Sequence, residues 1–132
     1  MTRTIEQHAG FRAPVKTVFD LYIDSKKHTA ATGAPAKLAR KAGGAWYAHG
    51  GAIHGTTLLI LPGKLIVQSW RAKHWKKEEI STLILHFGKN PGGGTHIHLV
   101  HAGVPQHDQK GVRQGWPNYY WKPWKKYLAS KT

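Results

Sequence analysis

The sequence encodes an α+β domain: a curved antiparallel sheet of about six to seven strands wrapped around a long C-terminal helix, with short helices near the N-terminus. The tail, residues 115–128 (GWPNYYWKPWKKYL), carries the strongest signal. At helical spacing Trp116, Tyr120, Trp124, Tyr127 and Leu128 share one face, while Lys122, Lys125 and Lys126 fall toward the other. Between residues 37 and 102, apolar runs alternate with Gly- and Pro-rich turns, the punctuation of a meander. The links are short, so neighbouring strands must run antiparallel. So bulky an aromatic ridge has to be buried, and the strands that precede it are the one surface large enough to bury it.

The elements follow in order. Residues 5–12 alternate weakly and form a first strand. Pro14 then opens a helix whose apolar residues Val15, Val18, Phe19 and Tyr22 recur at spacings of three and four. Asp24-Ser25 recaps the chain for one more short helix over 26–32, which Gly33-Ala34-Pro35 breaks. A short basic stretch, 37–41, precedes the Gly43-Gly44 turn, a strand over 45–49 and a second turn at Gly50-Gly51. Further strands occupy 53–61, 65–71, 80–87 and 95–102. Pro62-Gly63, the 73–79 loop and the Gly-rich 89–94 turn separate them. In the final helix Pro117 suits a first turn, whereas Pro123 removes a backbone donor in mid-segment and predicts a kink near Tyr119.

Composition bounds the function. A chain of 132 residues makes one domain over 1–132, and 40% apolar with 11% aromatic residues is enough for a packed core. No apolar run approaches membrane-spanning length and the N-terminus has no signal-peptide core, so a cytoplasmic location is expected. The absence of cysteine excludes disulfides, thiolate metal sites and cysteine nucleophiles. Twenty Lys and Arg against six Asp and Glu give a net charge of +14. The basic residues are scattered, which predicts weak, non-specific attraction to polyanions rather than one dedicated groove.

These pieces carry a resemblance. VFDLYID, GGAWYAHG, LPGKLIVQSWR, TLILHFG, THIHLVHAGVP and the GW-led helix, in this order and spacing, resemble the SRPBCC superfamily. Within it they are most similar to the activator-of-heat-shock-protein-ATPase-like branch, with birch-pollen-allergen and START folds more distant. The resemblance covers nearly the whole chain. It implies a helix-grip fold with a cavity between sheet and helix, in which most members bind small apolar or amphipathic molecules and a minority are enzymes.

Alternation then sorts the side chains. The inner face carries Trp46, Ala48, Leu58, Ile60, Ile66, Gln68, Trp70, Leu83, Leu85, Phe87, Ile97, Leu99 and His101. The candidate cavity residues are Tyr22, Trp46, Gln68, Trp70, His101, Trp116, Tyr120 and Trp124, each pairing apolar surface with a polar tip or shaping the mouth. The outer face is oddly uncharged for a solvated sheet. Tyr47, His49, Leu59, Val67, Ile84, His86, His96 and His98 form a candidate interface for a second copy, a dedicated protein partner, or a surface altered by engineering.

Histidines 86, 96 and 98 present imidazoles suited to Zn, Ni or Cu, but no carboxylate lies nearby in sequence, and no metal or cofactor is expected. Catalytic motifs are missing: there is no GxSxG, no HExxH and no phosphate-cradling loop, so no catalytic residue is assigned. The expectation is a non-catalytic domain holding a small hydrophobic or amphipathic ligand. The alternatives are a protein-interaction module on the outer sheet face and weak polyanion binding.

Overall fold

The computed structural model describes residues 1–131. The first strand, β1 (Thr2–Phe11), turns Ile5, Ala9 and Phe11 inward. Pro14 then sits at the N-cap of α1 (Val15–Ile23), which buries Val18, Phe19, Leu21, Tyr22 and Ile23. Asp24 starts α2 (Ser25–Thr32), its carboxylate accepting from the Lys27 N–H at 3.0 Å. Gly33, at φ +80°, ends it.

A seven-stranded antiparallel sheet follows, with β2 (Lys37–Leu38), β3 (Ala45–Ala48), β4 (Ile53–Leu61), β5 (Leu65–Ala72), β6 (Ser81–Lys89) and β7 (Thr95–Pro105). Its order is β1-β7-β6-β5-β4-β3-β2, so the meander is intact and the N-terminal strand closes onto the last one. Pairing of Thr2 with Pro105 extends β7 beyond the expected end at residue 102.

The inner face matches the alternation with one exception. A bulge in β4 lies between Thr57, which pairs with Gln68, and Leu59, which pairs with Val67. The extra residue shifts parity: Thr57 is buried, and Leu58, expected inside, is exposed beside Leu59. Tyr47 and Leu61 are also exposed, while Leu65, Val67, Ile84 and Val100 are half-buried. A second departure is His49. It leaves the strand in a short 3-10 turn (His49–Gly51) at φ +52°, and its ring lies 5.5 Å from that of Tyr119 and 5.3 Å from that of Tyr120. His49 therefore stands against the helix, away from the outer face on which it was expected.

The C-terminal segment is α3 (Gln109–Trp116), a π-helical turn (Pro117–Trp121) and α4 (Lys122–Ala129). The expected distortion takes this form for a physical reason. In a regular helix the ring of Pro123 would collide with the carbonyl of Tyr119; the wider turn, in which the Lys122 N–H reaches the Pro117 carbonyl, makes room for it. The additional residue brings two consecutive aromatics, Tyr120 and Trp121, to the buried side. Trp116, Tyr120, Trp121 and Trp124 then pack on one another with ring centroids 4.8 to 6.5 Å apart. Gln7 of β1 pins this segment, donating to the Arg113 carbonyl at 2.8 Å and accepting the Trp121 indole N–H at 2.8 Å.

Candidate functional site

A pocket of about 480 Å³ opens at one end of the grip, where the His49 turn, the ends of β4 and β5, and α3 meet. Its walls are Trp70, Trp116, Tyr119, Tyr120 and His49, with Ile53, Ala72 and Val112 between them and Gly111 and Gly115 leaving the helix face bare. His74 and Asp108, paired at 3.2 Å, sit at its edge. Of the residues expected to form a cavity, Trp70, Trp116 and Tyr120 line it. Tyr22, Trp46, Gln68, His101 and Trp124 do not; all five are buried and fill the space between helix and sheet.

Most polar atoms behind the walls are tied off, the Trp124 indole N–H being the exception. The Trp116 indole N–H donates to His101 Nδ1 at 3.2 Å, so Nε2 carries the His101 proton and donates to Ser81 Oγ at 2.8 Å. Ser81 Oγ donates in turn to the Trp70 carbonyl at 2.7 Å. On the other side His28 Nδ1 donates to the Tyr22 carbonyl at 2.7 Å, and its Nε2 accepts from the Tyr120 hydroxyl at 3.0 Å. The Tyr22 hydroxyl donates to Gln68 Oε1 at 2.6 Å, and Gln68 Nε2 donates to Thr57 Oγ1 at 3.1 Å. Burial keeps these groups neutral: it pulls the His101 imidazole down to about 3 and that of His28 to about 4, and it raises both tyrosines above their ordinary range.

Two residues of the lining carry a polar atom that is shut off from solvent and not tied off. Trp70 Nε1 and His49 Nε2 are both buried without a protein partner. Burial also lowers the His49 pKa, so the pocket presents a neutral imidazole. A buried donor left unpaired costs about 1–3 kcal/mol. The arrangement suits a flat, largely apolar molecule stacked among aromatic rings. The other ten of the thirteen lining residues were not expected there, among them His49, Tyr119 and the two helix glycines. A spacing of four from Gly111 to Gly115 on the ridge side of the helix was the available signal.

The outer face gathers a second group. His96 and His98 point the same way on β7, and β1 places Glu6 and His8 beside them, where sequence distance had hidden any carboxylate. His86 faces His98 from β6.

Comparison with known proteins is consistent with this architecture. Residues 12–129 match the family described as Activator of Hsp90 ATPase homolog 1-like protein. A human protein named activator of 90 kDa heat shock protein ATPase homolog 1 is 35% identical over 113 residues, covering 85% of this chain and 33% of the relative. A Dictyostelium discoideum homolog is 26% identical over 115 residues, covering 87% of this chain and 30% of its own length. The chain thus spans about a third of the curated relatives it matches. Among solved structures, an HSP90 activator from Plasmodium falciparum superposes with a TM-score of 0.87 at 21% identity, covering 96% of both chains. CalU16 from Micromonospora echinospora gives 0.81 at 21% identity over 96% of this chain and 74% of its own. At these identities the structures speak for the helix-grip fold alone.

Proposed function

The chain belongs to the Activator of Hsp90 ATPase homolog 1-like family, and on that premise we propose that it is a binding domain whose end pocket takes a small, flat, amphipathic molecule. One observation carries the reading. Trp116 and Tyr120, in the pocket lining, are held from behind by His101 and His28. Aromatic rings oriented in advance around a pocket of about 480 Å³ are what a ligand site requires.

An anilinonaphthalene sulfonate dye, titrated with tryptophan emission as the readout, tests it. Saturable one-to-one binding is expected. Gly115→Leu, which fills the pocket from the helix side, weakens it at least tenfold, and Trp70→Phe weakens it about 2- to 10-fold through the smaller aromatic wall. Binding that is non-saturable or indifferent to Gly115→Leu overturns the proposal.

A second reading rests on the β4 bulge, which turns Leu58 and Leu59 outward together beside exposed Leu61 and half-buried Leu65, Val67 and Ile84. Such a patch fits a protein partner or a second copy of the chain. The relatives named as activators of a heat-shock ATPase are about three times as long, so their activity is not carried over to this chain. Leu59→Lys and Ile84→Lys abolish any dimer or complex formed through this face, as read by sedimentation. Attraction to polyanions through the +14 charge is a third, weaker contribution, and it disappears at high ionic strength. Among the described residues no helix is long and apolar enough to cross a membrane.

A further inference from the structure

Pairing of β1 with β7 sets His8 opposite His98 and Glu6 opposite Val100, so Glu6, His8 and His98 share the outer face. One ligand-type atom from each lies within 4.8 Å of the other two, and among the described residues this is the one group of three or more such side chains. His98 Nε2 and Glu6 Oε2 are 2.6 Å apart, and the His8 and His98 rings stack with centroids 4.4 Å apart and planes 5° from parallel. His8 Nδ1 is 2.9 Å from His96 Nε2.

We propose that Glu6, His8 and His98 form a binding site for a divalent first-row transition-metal ion of the zinc, nickel or copper class. Two imidazoles and one carboxylate are the donor set these ions prefer, and three protein ligands leave outward positions for water. The His8–His96 hydrogen bond occupies Nδ1 and leaves Nε2 as the free ring nitrogen of His8. A metal-bound histidine is ordinarily held in this way through its other nitrogen, which makes His96 the supporting residue.

The geometry needs two adjustments: the His8 ring, stacked on His98 at 5° from parallel, must tilt so that both in-plane lone pairs converge on the ion, and the ligand atoms must spread. Ligand atoms about 2.0 Å from a tetrahedral ion stand about 3.3 Å apart, so His98 and Glu6, now 2.6 Å apart, must separate by about 0.7 Å as the ion takes the place of their shared proton. Glu6 is 61% exposed and free to move that far. His74–Asp108 and His107–Glu79 are also imidazole–carboxylate pairs, but neither recruits a second histidine.

The untagged full chain is titrated with zinc chloride by calorimetry in a non-coordinating buffer at pH 7.5. One saturable site is expected, lost in His98→Ala and in Glu6→Gln/His8→Ala, weakened about 10- to 100-fold in His96→Ala and unchanged in His107→Ala. Nickel should broaden the ring signals of His8 and His98 by NMR before those of any other histidine, a readout independent of variant stability. Equal zinc binding by His98→Ala and the parent chain, or first broadening at other histidines, overturns the proposal.

Discussion

The indole N–H of Trp116 donates to Nδ1 of His101 across 3.2 Å, joining the C-terminal helix to the last strand inside the core. This bond needs a neutral His101, because a doubly protonated imidazole has no acceptor left. His28 is bound to Tyr120 by the same logic. In the unfolded chain both histidines titrate near 6.5, whereas in the fold they do so at about 3 and about 4. Between those limits the unfolded state binds more protons, so stability is full above pH 6.5 and falls as the pH drops. With both groups contributing, the slope is steepest near pH 5, at about 2.5 kcal/mol per pH unit. Urea midpoints measured from pH 7.5 to 4 check this, and neither ring should titrate by NMR in the folded protein above pH 5.

Tyr120→Phe removes the hydroxyl that His28 Nε2 accepts and leaves a buried acceptor bare. A loss of about 1–3 kcal/mol is expected. Tyr119→Phe, at a residue mostly exposed to solvent, should change stability by less than about 0.5 kcal/mol. Equal effects would mean that the His28 contact adds nothing.

The two pocket glycines should respond differently to alanine. At Gly115 an added Cβ meets only the Tyr119 ring, at 3.5 Å, an ordinary contact on a helical backbone. Gly115→Ala should therefore stabilise by about 0.5–1 kcal/mol. At Gly111 the Cβ would lie 2.7 Å from Asp108 Oδ1. Asp108 also accepts the Trp75 indole N–H at 2.7 Å and pairs with His74, so Gly111→Ala disturbs both contacts and loses the gain. Thermal melting of the two variants side by side decides it.

How much was legible in the sequence follows from range. Alternation and helical spacing act over a few residues, and they correctly placed the inner set from Ile66 to His101 and the ridge of Trp116, Tyr120 and Trp124. The resemblance supplied the grip itself. Events that add one residue were not legible: the β4 bulge that turned Leu58 outward, and the π turn that brought Trp121 inward. Pro123 signalled that the helix would deform, but not that it would widen. Contacts between the chain ends were also hidden, because nothing local in Glu6, Gln7 or His8 says that β1 pairs with β7.

Gly55 is the most restrictive glycine in the sheet. A Cβ there would stand 2.0 Å from the Ser69 carbonyl oxygen and 2.7 Å from its carbon, both backbone atoms of β5 that cannot yield without opening the ladder. The same carbonyl accepts the Trp46 indole N–H at 3.1 Å, and the Ser69 hydroxyl accepts from the Thr56 N–H at 2.8 Å. Gly55→Ala thus strikes the β4–β5 pairing and the anchor of a buried tryptophan together, and should cost about 3 kcal/mol or more. Gly88→Ala is the control: its Cβ meets nothing within 4 Å, and a change within about 1 kcal/mol is expected. Chemical denaturation of both variants measures the difference, and near-equal midpoints would show that β4 and β5 are not held as close at this point as the Ser69 carbonyl requires.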